Sequence, residues 1–144
     1  MRIQVCISSR KKMRILSWLV ETFTNRKYSH IFVVLDGIIY HSDVSGIDSL
    51  DFEEYKDTHD VVGEKDVTLH CGKRVFLDHH AFYKGLPYRE TQVLGFIPFF
   101  GRLFKNGRKG AWCSEYVSWV LNDLGRRWEF ADGDISTPAM FDRI

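Results

Sequence analysis

A thiol, two imidazoles and a carboxylate are the groups in this chain whose types and spacing could break a bond: Cys113, His30, His41 and Asp43. A free cysteine ionises at about 8.5 and is mostly thiol at neutral pH, so as a nucleophile it needs a base in hydrogen-bond reach and a third group to hold that base. Cys113 follows a loop marked by Asn106-Gly107 and Gly110, and Val117, Val120, Leu121 and Leu124 then recur at helical spacing. That spacing predicts a helix opening near Cys113 and stopping at Gly125. Unpaired N–H groups and the positive end of the helix dipole stabilise an anion at such a position, so a thiolate is expected there. The plainer alternative is a small buried apolar residue.

The imidazoles belong to Tyr28-Ser29-His30-Ile31-Phe32-Val33-Val34-Leu35, then Asp36-Gly37, then Ile38-Ile39-Tyr40-His41-Ser42-Asp43. Two β-branched and aromatic runs joined by Asp-Gly predict a hairpin with a type I′ turn. With those two as loop residues, Leu35 faces Ile38, Phe32 faces His41 and His30 faces Asp43, which puts His30, His41 and Asp43 on one face. A one-residue slip would send the two imidazoles to opposite faces. Cys113 would then be the nucleophile and His30 the general base and later acid, with His41 as orienter or Asp43 in its place. The backbone N–H of Cys113 is the first donor available to an oxyanion.

Ser29-His30 through His41, followed far downstream by Trp112-Cys113-Ser114-Glu115 and then Thr137-Pro138, resembles the circularly permuted papain-like cysteine hydrolases. These form the permuted branch of the NlpC-type superfamily, which also contains the lecithin retinol acyltransferase-like proteins. In that branch the histidine strand precedes the cysteine helix, as here, and Gly85-Leu86-Pro87-Tyr88 is similar to a glycine-and-tyrosine turn ahead of the cysteine segment. The resemblance implies a permuted papain-like fold, Cys113 as nucleophile, His30 as base, His41 as the third polar residue, and thiol-dependent cleavage or transfer at an amide, ester or thioester. Tyr28, Trp112 and Ser114 flank these residues and are the candidates for substrate contact.

Members of the branch act on cell-wall peptides, on other amide or isopeptide bonds, or on lipid acyl groups. An amidase or peptidase acting on a wall peptide is the leading expectation, and a lipid-acting thioesterase or acyltransferase is the second. A third is a non-catalytic interaction protein that keeps the fold and assembles with other proteins. The compact form fits a phage-encoded or virion-carried enzyme.

Other elements must position these groups. The chain has 144 residues, 44% hydrophobic and 15% aromatic, which suits a single domain spanning residues 1–144 with a well-supplied core. A net charge of +1, from 20 basic and 19 acidic residues, makes no case for a nucleic-acid partner, and the clusters Arg10-Lys11-Lys12 and Arg102 to Lys109 read as solvated loops, the alternative being contact with an anionic polymer or membrane surface. Cys6, Cys71 and Cys113 are odd in number and lack paired metal-type spacing, so neither a disulfide framework nor a metal or other cofactor is expected. The first residues lack a signal-type apolar region and no run is long enough to span a bilayer, so the expectation is a cytoplasmic product without a transmembrane segment.

In chain order, residues 3–8 predict a strand and Met13 to Thr24 an amphipathic helix, followed by the hairpin. Asp48 to Asp60 reads as a polar loop with at most a turn of helix, and Val61-Val62 and Val67 to Cys71 as two further strands. Arg74 to Lys84 predicts a helix ended by Gly85, with His79 and His80 exposed or flanking, and Glu90 to Phe104 a second helical stretch. Thr137-Pro138 has the form of a helix cap and first residue. The fold class is therefore α+β, a small antiparallel sheet packed against helices.

Overall fold

The computed structural model describes residues 1–12, 27–87, 113–125, 141, 142 and 144. In chain order its elements are β1 (Arg2–Arg10), β2 (His30–Leu35), β3 (Ile38–Asp43), β4 (Gly46–Asp51), α1 (Phe52–Lys56), β5 (His59–Thr68), α2 (Lys73–Tyr83) and α3 (Cys113–Gly125). The five strands make one antiparallel sheet in the order β4-β3-β2-β1-β5, so the α+β class holds.

The hairpin forms as its turn chemistry dictates. Asp36 and Gly37 both take positive φ, 53° and 78°, as a type I′ turn requires, and Leu35 pairs with Ile38. β2 is apolar at successive positions because both of its faces are covered. Ile31, Val33 and Leu35 join Ile3, Val5, Ile7 and the α3 residues Tyr116, Val117, Val120 and Leu121 in one core. Phe32 and Val34 join Cys6, Ile39 and Tyr55 in a second core on the opposite side. Each fully buried aliphatic side chain contributes about 1.5–3 kcal/mol, so Val117, Val120 and Leu121 of α3 hold it on the sheet more firmly than helix propensity would.

Several stretches differ from the sequence-based expectation. The polar segment after Gly46 is not a loop: Gly46–Asp51 pairs with β3 along its whole length. Its two large apolar residues, Ile47 and Leu50, are three apart and pack on opposite faces, so no period of two announces a strand. Asp51 then caps α1, its carboxylate accepting from the Glu53 and Glu54 N–H groups at 2.8 and 3.1 Å. The two strands expected at Val61-Val62 and Val67 to Cys71 are replaced by one, β5, which ends at Thr68, short of Leu69 to Cys71, and runs against β1 with a register shift beside Ile7 and Ser8. Cross-strand hydrogen bonding carries it through its charged residues, which alternate outward. The helices expected over Arg74 to Lys84 and from Cys113 to Gly125 are present as α2 and α3. Met13 to Thr24, Glu90 to Phe104 and Thr137-Pro138 lie outside the described residues.

Candidate functional site

The β2–β3 ladder runs only from Leu35–Ile38 to Val33–Tyr40. Beyond it, the expected pairs Phe32–His41 and His30–Asp43 are not made, and His30 pairs instead with Ser8 of β1 while His41 pairs with Asp48 of β4. Strand alternation still sends both imidazoles to one side, and they meet there: His30 Nε2 lies 3.0 Å from His41 Nδ1, with the rings edge to face. Asp43 is elsewhere engaged, its Oδ1 accepting from the Ser45 N–H and hydroxyl at 2.8 and 2.5 Å. Of the two candidate orienters it is therefore His41 that touches His30.

Aromatic rings pack this side. His30 stacks on Phe32, and Tyr55 of α1 stands 6.3 Å from His30 and 6.2 Å from His41, ring centre to ring centre. The Tyr55 hydroxyl is anchored at 2.7 Å by Ser8 Oγ, both groups being buried. His59 lies flat against the other side of Tyr55, at 4.0 Å and 3°. Burial holds the His30 imidazole well below its usual range, with the neighbouring His41, His59 and Arg10 adding to the effect. Burial also lowers His41, partly offset by Asp43 and Asp48. Both rings are thereby held in the neutral form at pH 7.

Cys113 opens α3 and is only 1% exposed. The backbone N–H groups of Ile31, Ser114 and Cys113 itself are directed at its sulfur and favour the anion, but burial outweighs them and pushes the thiol up to about 11. The expected thiolate is thus corrected: loss of water around a buried sulfur costs more than a helix start returns. The Cys113 side chain packs with the helix-side core and takes the Ile31 N–H, while the His30 and His41 rings pack with Phe32 and Tyr55. No hydrogen bond between Cys113 and His30 is present among the described residues. Ile31, whose N–H is directed at the sulfur, follows His30 in β2, and the Tyr55 hydroxyl beside His30 is pushed up mainly by burial.

Of the candidates for substrate contact, Tyr28 is buried in the helix-side core with its hydroxyl 3.5 Å from Asp142, Ser114 is fully buried, and Trp112 lies outside the described residues. His80, expected at the surface, is buried against Tyr40 and Tyr116, its Nδ1 2.8 Å from the Tyr116 hydroxyl. Its neighbour His79 pairs with Asp123 of α3 at 2.9 Å. Both meet α3, through Asp123 and Tyr116, and sequence alone could not bring that helix alongside. Sequence reasoning also passed over Ser8, Tyr55 and His59 as site residues and read Arg10 as part of a solvated loop, whereas it is the half-buried last residue of β1, paired with His59. Ser8 and Arg10 were within reach, because a period of two puts both on one face of β1.

Among the described residues no group of three or more His, Cys, Asp or Glu could hold a metal ion, and no helix is long and apolar enough to cross a membrane. The chain matches no family model and no curated protein.

Proposed function

We propose that this chain is a thiol-dependent hydrolase of an amide bond, with Cys113 as nucleophile, His30 as general base and acid, and His41 as the group that orients His30. The observation that carries the reading is the 3.0 Å contact between His30 Nε2 and His41 Nδ1. If His30 donates through Nε2, its Nδ1 is left unprotonated and can accept a proton. The Cys113 thiol would give its proton to that nitrogen as the sulfur attacks the carbonyl carbon. The resulting oxyanion would be met by N–H groups of the kind already directed at the sulfur. Collapse forms a thioester and expels the amine, which takes the proton from His30, and water then releases the acid with His30 again as base.

In this arrangement both partners rest neutral, so proton transfer accompanies attack rather than preceding it. Because the sulfur is buried, the groups over it must part before a substrate can reach it. A wall peptide as substrate rests on the family resemblance alone. A panel of peptide, ester and thioester substrates, with Cys113→Ala as the blank, tests the proposal. Turnover of an amide that vanishes in the blank supports it, preference for acyl esters moves the substrate to the lipid class, and turnover surviving in Cys113→Ala removes the nucleophile.

A second reading draws on the same burial. A neutral, enclosed Cys113 packed with Ile31, Val117 and Tyr116 also suits a binding protein that keeps the fold without the chemistry. Absence of turnover across the whole panel would favour it.

A further inference from the structure

We infer that Arg10 and His59 form a subsite for a carboxylate next to the His30–His41 pair. The inference deepens the hydrolase reading and rests on it only for the claim that the carboxylate belongs to a substrate. Arg10 and His59 are direct partners across β1 and β5, and Ser8, two residues before Arg10, is the partner of His30 on the other side. The bond from Ser8 Oγ to the Tyr55 hydroxyl shows which face Ser8 presents. By strand alternation Arg10 shares that face, about 7 Å farther along. Arg10, His59, Tyr55, His30 and His41 therefore form one row, with Tyr55 in contact with three of the imidazoles.

Arg10 is half-buried and makes no hydrogen bond or ion pair among the described residues. Its neighbour Lys11, in contrast, donates to the Lys56 carbonyl at 2.6 Å and stands 4.0 Å from Asp60. The carboxylate whose charge reaches His41, His59 and Tyr55 is that of Asp43, and Ser45 already occupies it. A guanidinium with five fixed donors, partly out of water and with no partner among the described residues, suits an anion, and its planar fork matches a carboxylate through two parallel hydrogen bonds. The charge of Arg10 also helps keep His30 and His59 neutral. A spacing of about 7 Å from the His30 level is the reach of a short acidic side chain on a residue beside the scissile bond.

Ring signals of histidine in the full-length Cys113→Ala chain, followed by NMR, test the subsite without any turnover. The probes are N-acetyl-glutamyl amide, its neutral match N-acetyl-glutaminyl amide, and inorganic phosphate. The acidic probe should shift the His59 and His30 signals saturably, and the neutral one at least tenfold more weakly. Arg10→Gln should weaken binding about tenfold or more, Arg10→Lys should restore part of it, and Lys11→Gln should leave it unchanged. Equal response to the acidic and neutral probes, unchanged affinity in Arg10→Gln, or saturation by phosphate alone would overturn the subsite. Failure of the hydrolase reading shows separately, as absence of turnover in the unmodified chain.

Discussion

His41 Nδ1 meets His30 Nε2 at 3.0 Å although the strands that carry them have ceased to pair at Val33 and Tyr40. The contact is thus made by side chains reaching across an opened ladder, and each backbone is held from outside it, His30 by β1 and His41 by β4. Such an arrangement fixes the ring of His30 and leaves its other nitrogen uncommitted among the described residues.

Replacing His41 by Ala should lower kcat on the order of a hundredfold or more, because His30 loses the partner that selects its tautomer. Asp43→Ala should change kcat little, since that carboxylate serves Ser45. Steady-state kinetics on a peptide substrate decide the matter, and an equal or larger loss in Asp43→Ala would reverse the assignment.

Alkylation by iodoacetamide at pH 7.5 should modify Cys71, which is only half-buried, before Cys113 or Cys6. Burial pushes Cys113 up to about 11, so its alkylation should still be accelerating between pH 8 and 10. The sign for stability follows: between about 9 and 11 the unfolded chain has lost a proton that folded Cys113 retains, so stability falls as pH rises through that window. Mass spectrometry of the three thiols against time checks the order, and fast labelling of Cys113 at neutral pH would contradict it.

Acid should destabilise the fold well before the carboxylates titrate. Burial lowers His80 to about 4 from its usual 6.5, and lowers His30, His41 and His59 as well. Between pH 6.5 and 4 the unfolded chain binds protons that these rings refuse, so stability is full above 6.5 and is lost as pH falls. Thermal unfolding from pH 7 to 4 should show a falling Tm, with a shallower fall in His80→Gln; a flat profile would refute the claim.

Gly46→Ala should lower stability by on the order of 2 kcal/mol. Gly46 has φ +108°, and a Cβ there would stand 2.6 Å from the Leu86 carbonyl oxygen. That oxygen also accepts the Ile47 N–H at 3.0 Å, and the Gly85 N–H donates back to the Ile47 oxygen at 2.9 Å, so the edge of β4 would be disturbed with it. Urea denaturation with an unchanged m-value and a lower midpoint is the expected result.

Local patterns were enough to read the Asp36-Gly37 turn, the strands on either side of it, the helix from Cys113 to Gly125 and the shared face of His30 and His41. Each depends on residues close in sequence: a left-handed dipeptide, a period of two, or an apolar stripe at helical spacing. Gly46–Asp51 escaped because its two large apolar residues, Ile47 and Leu50, pack on opposite faces and so leave no period of two, and it is the pairing with β3 that shows it as a strand. The charge state of Cys113 was equally out of reach. The helix start that favours a thiolate is a local feature, but the burial that overrules it is contributed by Ile31 and the rest of a core assembled from distant segments. Likewise, the sequence contains Ser8, Arg10, Tyr55 and His59 far apart, and only the folding of β1, α1 and β5 around β2 brings them beside one histidine pair. Desolvation and long-range juxtaposition depend on the whole surround of a group, which no stretch of chain carries by itself.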